Sequence, residues 1–263
     1  MKKILALTIA VLMILVCFVA CDKKGNAASD ESGNAFKEDV ELVYEGLYYA
    51  TNVDGTYEIT GVKADGVTEI EIPDHIGGRE VTGIANDAFR AVNTLKSVEI
   101  PEGILYIGDY AFYGCTSLEE VEIPATLETI GKGAFEGCAV LEELDIADNS
   151  ALATVGNYAF KDCVKLEFFS FGGAISTIGD GAFINCDALT TVSIQANVKK
   201  LGSGVFAQCE NLDEIFVAND KLEIGDAAFY TGAETVTVTA KDGSTAAEYA
   251  KNFSNYIVFN VAE

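Results

Sequence analysis

Hydrophobic residues recur along this chain in a pattern that is longer than any single helix or strand. Seven copies each begin at an aliphatic residue, in steps of 23, 23, 25, 23, 23 and 23 residues: Ile84, Ile107, Ile130, Val155, Ile178, Leu201 and Ile224. Each copy has a phenylalanine five residues after its start: Phe89, Phe112, Phe135, Phe160, Phe183, Phe206 and Phe229. A fixed period of this size predicts a solenoid, in which each copy forms one rung and packs against its neighbours.

The positions within a copy predict which elements each rung contains. In the copy that begins at Ile107, the segment Leu118-Glu-Glu-Val121-Glu-Ile123 ends in the alternation that is typical of a strand with one buried face. The third residue is Asn, Asp or Ser in six copies, which favours the start of a short helical turn. A second apolar pair, such as Leu127 and Ile130, closes the rung. We therefore expect a right-handed coil, with parallel strands about 4.8 Å apart on one face and short helical turns on the other.

Sequence before the regular repeats predicts a cap at the N-terminal end. Two alternating segments, Leu47–Val53 and Thr56–Thr60, flank Asp54-Gly55. An Asp-Gly pair between such segments is a strong signal for a β-hairpin. We expect the hairpin to cover the open edge of the first rung, which would otherwise expose unpaired backbone groups. Val67–Ile72 then predicts the first strand of the solenoid.

The C-terminal end also carries a predicted cap. Thr245 and Glu248 have the spacing of a capping box, which predicts a short helix that ends near Asn252. A final strand is predicted at 256–261. The single 25-residue step places two extra residues in a loop at 147–150.

The repeat units resemble a known family. The sequences "IGDYAFYGCTSLEEVEIP" and "IGKGAFEGCAVLEELDI", and the opening segment "IPDHIGGREVTGIANDAF", are similar to the BspA-like type of bacterial leucine-rich repeat. The resemblance covers about residues 56 to 251 and rests on seven copies that agree. It implies a leucine-rich-repeat solenoid that is secreted or exposed at the cell surface. It also implies a scaffold for protein interactions and no enzymatic activity.

The first residues predict a targeting segment. Lys2 and Lys3 precede an apolar run, Ile4–Val16, that is too short to span a membrane comfortably. The run leads into Phe18-Val-Ala-Cys21, which resembles the bacterial lipobox, with Phe18 where leucine is usual. This resemblance implies that Cys21 carries lipid and becomes the first residue of the mature protein. An ordinary signal peptide and an uncleaved anchor helix are the alternatives.

These observations divide the chain into five consecutive parts. They are a lipoprotein signal peptide at 1–20, a polar tether at 21–39, an N-terminal hairpin cap with the first strand at 40–73, the leucine-rich-repeat solenoid at 74–239 and a C-terminal cap at 240–263.

Charge and residue types argue against nucleic-acid binding and catalysis. The net charge is −24, whereas phosphate binding requires clustered lysine and arginine. The only histidine, His75, lies in a predicted loop without a recognisable nucleophile, so it does not indicate a catalytic base. No cofactor is expected, and no metal site is expected because the chain has no Cys-x-x-Cys motif.

Five cysteines occupy the same position in consecutive repeats: Cys115, Cys138, Cys163, Cys186 and Cys209. We predict that they are small, buried and reduced core residues. A disulfide between neighbouring rungs is the alternative, because the rung spacing places equivalent Cα atoms within disulfide range.

The predicted strands leave a set of side chains that point to solvent. Two adjacent strands present only acids there, and two later strands each present an aromatic residue: Glu119, Glu120, Glu122, Glu142, Glu143, Asp145, Phe168 and Phe216. One interpretation is a solvated face that keeps the sheet soluble. The other is a contact surface for a basic or calcium-bridged ligand, with the two phenylalanines as anchors.

The sequence as a whole predicts a monomeric, extracytoplasmic protein that is anchored to the membrane by lipid on Cys21. Its expected role is protein–protein interaction or adhesion, with a positively charged region of a protein as the partner. A carbohydrate-binding or carbohydrate-degrading surface protein is one alternative. A structural spacer of the cell envelope is another.

Overall fold

The structure, a computed structural model, describes residues 42–63, 65–146, 150–171 and 174–262. The predicted signal peptide, Cys21, the tether and loop residues 147–149 lie outside these ranges. Within the described residues, no helix has the length and apolar composition that a membrane span requires.

Nearly all the regular elements of the described chain are short strands, which are joined by turns. In chain order they are β1 (Leu42–Tyr44), β2 (Leu47–Thr51), β3 (Tyr57–Val62), β4 (Glu69–Glu71), β5 (His75–Ile76), β6 (Arg79–Ile84), β7 (Ser97–Glu99), β8 (Tyr106–Ile107), β9 (Glu120–Ile123), β10 (Thr129–Ile130), β11 (Glu143–Ile146), β12 (Thr154–Val155), β13 (Thr177–Ile178), β14 (Thr191–Ile194), β15 (Lys200–Leu201), β16 (Glu214–Val217), β17 (Glu223–Ile224), β18 (Val236–Ala240) and β19 (Ile257–Val261). One helix, α1 (Thr245–Asn252), lies between β18 and β19.

The rungs build a stacked solenoid, which confirms the predicted leucine-rich-repeat architecture. The two-residue strands and the N-terminal strands β1, β2, β3 and β6 form an eleven-stranded sheet in the order β1-β2-β3-β6-β8-β10-β12-β13-β15-β17, with β5 beside β6. The longer strands form two four-stranded sheets, β11-β9-β7-β4 and β14-β16-β18-β19. Neighbouring rungs pair in parallel and in register, as Glu120 does with Glu143. The rung between the two smaller sheets forms no strand of this kind at 168–171, where Phe171 makes an isolated parallel bridge with Ile194 of β14.

Six of the seven repeat phenylalanines, from Phe89 to Phe206, stack as a continuous phenylalanine column inside the solenoid. All seven side chains are fully buried, as the sequence predicted. The rings of Phe112, Phe135 and Phe160 stack nearly parallel, with centroid separations of 5.2 and 5.3 Å. The aliphatic residues of both strands in each rung pack around this column. Each rung therefore depends on its neighbours for burial of its core.

Turns, and not the predicted helical turns, carry the phenylalanines. Tyr110 and Gly114, which flank Phe112, both have left-handed φ angles, 58° and 69°. Because left-handed residues interrupt the segment, a helix cannot continue through it. Backbone N–H groups of this segment instead form hydrogen bonds with the next rung. The Phe112 N–H, for example, donates to the Ala134 carbonyl at 2.7 Å. The backbone polar groups on this side are thus paired between rungs as well as within turns.

The Asn and Asp residues at the third position join rungs and do not cap a helix in their own rung. Asn86 Oδ1 accepts a hydrogen bond from the Asp109 N–H, and Asp109 Oδ1 accepts one from the Lys132 N–H, both at 2.7 Å. Asp180 Oδ1 accepts one from the Ser203 N–H at 2.8 Å. The prediction of N-capping was therefore wrong, although the residue type and its role as an acceptor were as expected.

The N-terminal hairpin closes one of the two sheets that begin at the first rung. β2 and β3 pair antiparallel on either side of Asp54-Gly55, which confirms the predicted hairpin. β3 then pairs in parallel with β6, so the hairpin extends the eleven-stranded sheet. It does not pair with β4, the first strand of the neighbouring sheet. The expected covering of the first rung thus applies to one sheet edge only.

The C-terminal cap consists of a helix followed by a strand, as predicted. The residue that caps α1 is Ser244, whose Oγ accepts a hydrogen bond from the Ala247 N–H at 3.2 Å. Thr245, to which the sequence assigned this role, instead donates its hydroxyl to the Leu222 carbonyl at 2.8 Å. α1 packs against β17, and β19 pairs in parallel with β18.

The five repeat cysteines are free and buried, which confirms the predicted reduced core and not the alternative of a disulfide. Each thiol donates to the carbonyl of a phenylalanine in the preceding rung, as Cys115 does to Phe89 at 3.1 Å. Burial raises the pKa of Cys115 to about 12 and the pKa of Cys163 well above its usual value. Thiols with raised pKa values are poor nucleophiles and poor metal ligands.

Candidate interaction surface on the strand face

The outward side chains of β4, β7 and β9 form columns because these strands pair in parallel. Glu69 pairs with Ser97, and Ser97 with Glu120, in one column. Glu71 pairs with Glu99 in the next column, which continues to Glu122 on β9. We call the five carboxylates the acidic strand face: Glu69, Glu71, Glu99, Glu120 and Glu122.

The acidic strand face is exposed and lacks counter-charges. All five side chains are exposed, and they line an open depression of about 700 Å³. In the described part of the chain none of the five forms an ion pair, whereas other acids do, such as Glu136 with Lys161 at 2.7 Å. Carboxylates on adjacent parallel strands repel one another. The face thus concentrates negative charge that the described residues do not neutralise.

Glu119 and Glu142, which the sequence grouped with these acids, lie in a strip of mixed charge. Lys165 Nζ lies 3.0 Å from Glu142 Oε1. Lys96 and Lys165 line the same depression as the two glutamates. The lysines partly neutralise this strip, so it contributes less to the acidic field than the two columns beside it.

The backbone of β11 continues the register of the acidic strand face by one rung. Glu143 pairs with Glu120, and Asp145 pairs with Glu122. The side chains of Glu143 and Asp145 lie outside the described part of the structure.

The two phenylalanines proposed as anchors are exposed but separate. Phe168 is 59% exposed and Phe216 is 39% exposed. The pairings of Phe171 with Ile194 and of Ser193 with Phe216 place β14 between them. At about 4.8 Å per rung they are about 10 Å apart along the stack. They do not form one aromatic platform.

The described residues contain no group of three or more His, Cys, Asp or Glu side chains arranged to hold a metal ion. His75 lies in β5, and its Nδ1 is 3.3 Å from Asp74 Oδ2, with both side chains well exposed. A calcium-bridged ligand would therefore have to bring further ligands of its own.

Glu69 and Glu71 belong to this surface but were not predicted from the sequence. The signal was present in the alternation Glu69-Ile70-Glu71-Ile72, which places two acids on the outward face of the first strand. Only the register with β7 shows that these acids continue the columns of Glu99 and Glu120.

Comparisons with known proteins agree with the repeat architecture. A family model described as "BspA type Leucine rich repeat region" matches residues 63–171 and 149–256, with six copies. A solved leucine rich repeat protein from T. pallidum (TpLRR) is 26% identical over 84% of this chain and 100% of its own, with a TM-score of 0.62. One from Eubacterium ventriosum is 24% identical over 69% of this chain and 49% of its own, with a TM-score of 0.54. A leucine-rich repeat protein from Bacteroides ovatus is 21% identical over 75% of this chain and 71% of its own, with a TM-score of 0.50. No curated protein matches the chain significantly.

Proposed function

The chain belongs to the BspA-type leucine-rich-repeat family, and from this premise we propose that it is a bacterial surface protein whose acidic strand face binds a partner protein. The observation that carries the proposal is the set of five exposed carboxylates without counter-charges on three adjacent strands. Repulsion between exposed like charges costs a few tenths of a kcal/mol per pair. A face that served only solubility would not require this concentration. On β14 the equivalent positions are Thr191 and Ser193, which keep the surface polar without charge.

The partner that fits this face is a positively charged region of a protein. Complementary charge increases the association rate and selects against acidic competitors, and salt weakens both effects. A glycan is less well matched, because Phe168 and Phe216 are exposed on separate rungs and not in one cleft. We therefore place protein binding or adhesion ahead of carbohydrate binding.

Removal of four charges from the acidic strand face should weaken binding of a basic probe about tenfold at low salt. Four exposed pairs at a few tenths of a kcal/mol each sum to about 1.4 kcal/mol, which is a factor of ten. The variant is E71Q/E99Q/E120Q/E122Q, and the probe is a fluorescein-labelled peptide of alternating lysine and valine, eight residues long, which supplies four lysines. Fluorescence anisotropy gives its Kd at low and high salt, and the difference between variant and wild type should vanish at high salt.

A control variant with the same net charge separates the effect of charges on the acidic strand face from the effect of the protein's net charge. The control removes four exposed acids that lie elsewhere: E80Q/E128Q/E210Q/E234Q. It should weaken binding less than about twofold, because screening limits the reach of distant charges. Equal losses in both variants would assign the acidic strand face a role in solubility alone.

We also propose that lipid on Cys21 holds the protein at the membrane. The support is the junction of an apolar run with a polar segment at Phe18-Val-Ala-Cys21. Cys21→Ala should abolish incorporation of labelled fatty acid and shift the protein from the detergent phase to the aqueous phase. Cys17→Ala is the matched control and should leave both unchanged. Labelling that survives Cys21→Ala and is lost in Cys17→Ala would move the anchor to Cys17.

A further inference from the structure

β4 has one edge without a partner strand in the described part of the chain. It is the terminal strand of the sheet β11-β9-β7-β4. The hairpin that caps this end of the solenoid pairs with β6, in the other sheet, and adds no strand to the free edge of β4. Exposed strand edges are positions where another chain pairs, and proteins usually block them.

The pairing with β7 shows which backbone groups of β4 face this edge. The Ile72 N–H donates to the Glu99 carbonyl at 3.0 Å, and the Thr68 carbonyl accepts from the Lys96 N–H at 2.8 Å. Because successive residues of a strand direct their backbone groups to opposite edges, the N–H and C=O groups of Glu69 and Glu71 face away from β7. Among the described residues they form no backbone hydrogen bond.

A depression of about 250 Å³ lies beside this edge. Its lining comprises Glu45, Gly46, Leu47, Val62, Val67, Glu69, Ile70 and Glu71. Leu47 and Ile70 are only 5% and 7% exposed, so they form an apolar floor. The side chains of Glu45, Glu69 and Glu71 are exposed and bring negative charge to the rim. The edge thus combines free backbone groups, an apolar floor and acidic side chains.

We propose that the edge of β4 binds an extended segment of a partner protein as an added strand. The proposal rests on the proposed function and specifies how the partner is held. In strand addition, backbone hydrogen bonds supply affinity and alternate side chains supply specificity. One set of alternate side chains would lie beside Glu69 and Glu71 and would be basic. The other set would face Leu47 and Ile70 and would be apolar. The partner segment therefore alternates basic and apolar residues.

The opposite end of the solenoid offers a contrasting edge. β19 is the terminal strand of its sheet. The N–H of Ala262, the residue after β19, donates to the Ala240 carbonyl of β18. Because successive residues face opposite edges, the Val261 N–H faces the free edge. Val261 is 61% exposed, but Ile257–Val261 contains no acidic residue. A basic segment finds no counter-charge on β19, which makes this strand a matched control.

The test compares Glu71→Pro with Glu71→Gln. Both variants remove the same charge, and only proline also removes the N–H that would bond the added strand. Proline is tolerated on an edge strand where its nitrogen faces solvent. We expect E71P to bind the alternating lysine–valine peptide at least about fivefold more weakly than E71Q does, since one hydrogen bond is lost. Val261→Pro should bind the peptide as wild type does.

Amide hydrogen exchange in the wild type provides a second measurement that does not depend on the folding of a variant. The N–H groups of Glu69 and Glu71 should exchange rapidly in the free protein and slow at least about tenfold when the peptide is saturating. Equal affinities of E71P and E71Q, or exchange at Glu69 and Glu71 that the peptide does not slow, would overturn strand addition.

The proposed function would survive that result if the fourfold glutamine variant still binds more weakly than its charge-matched control. If that variant and its control bind alike while the β4 amides become protected, the strand-addition site stands and the role of the acidic columns is withdrawn.

Discussion

Replacement of Gly179 by alanine is expected to destabilise the solenoid by about 3 kcal/mol, the upper end of the usual cost of overpacking. An added Cβ would lie 2.5 Å from the backbone nitrogen of Asn157 and 2.6 Å from the carbonyl carbon of Gly156, both in the preceding rung, and would also meet Asn157 Oδ1. The nitrogen and the carbon are main-chain atoms, which cannot rotate away as a side chain can. The Gly179 N–H also donates to the Val155 carbonyl at 2.8 Å, which holds the two rungs together. The rungs could accommodate the methyl group only by moving apart. Because each rung is stabilised by its neighbours, separation at one interface weakens the whole stack.

Gly204→Ala is the matched control in the following rung. Gly204 has a left-handed φ of 57°, but a Cβ there would meet no atom closer than 4.0 Å. The equivalent residues Tyr110, Tyr158 and Ala227 adopt this conformation with side chains present. We therefore expect a cost of about 1 kcal/mol, the usual penalty for a left-handed residue other than glycine. Urea unfolding of both variants gives the comparison. Equal midpoints would show that rung contact does not explain why glycine follows the opening residue in six of the seven copies.

The seven-fold repetition explains why so much of the fold was predictable. A single copy of the pattern would be compatible with several structures, but Phe, Gly and the alternating strand residues recur in register. The repeat itself implies stacking, since no rung buries its core alone. The exception at the start of the array has a structural reason. Ala85 replaces the glycine in the first copy, where its N–H bonds the Ile59 carbonyl of the hairpin and not another repeat rung.

The conformation of the turns could not be predicted from residue types. Left-handed positions are occupied by Tyr110, Asp162, Gln208 and Ala227 as well as by glycine, so no glycine pattern marks them. An Asn or Asp side chain is equally suited to cap a helix in its own rung or to accept from the next rung. Only the stacking decides between these two roles.

The candidate site was predictable in part. Period-2 alternation correctly indicated that Glu120, Glu122 and Phe168 are exposed. It did not reveal that Lys165, which lies in a turn, reaches Glu142 in the preceding rung. Nor did it reveal that the hairpin would leave one edge of β4 without a partner strand, because the choice between two sheets at the first rung depends on tertiary packing.

Phe160→Ala is expected to cost about 3–5 kcal/mol of unfolding free energy. Phe160 is fully buried, and its ring stacks between Phe135 and Phe183, each at 5.3 Å with interplanar angles of 3° and 11°. It also contacts the ring of Phe169 at 5.2 Å. Truncation removes all three ring contacts and leaves a cavity between rungs that are fixed by backbone hydrogen bonds. The site cannot collapse, so the cost lies toward the upper end of the range.

Phe229→Ala in the last repeat is the control, because this ring is equally buried but has one aromatic contact, with Tyr249 at 5.2 Å. Each aromatic pair contributes about 0.5–1.5 kcal/mol beyond burial. Phe229→Ala loses one aromatic pair and Phe160→Ala loses three, so we expect Phe229→Ala to cost about 1–3 kcal/mol less. Urea unfolding followed by circular dichroism measures both variants against wild type. Small and equal losses would contradict the view that the phenylalanine column is the main source of cohesion between rungs. A larger loss at Phe229 would instead show that docking of α1 controls the stability of the stack.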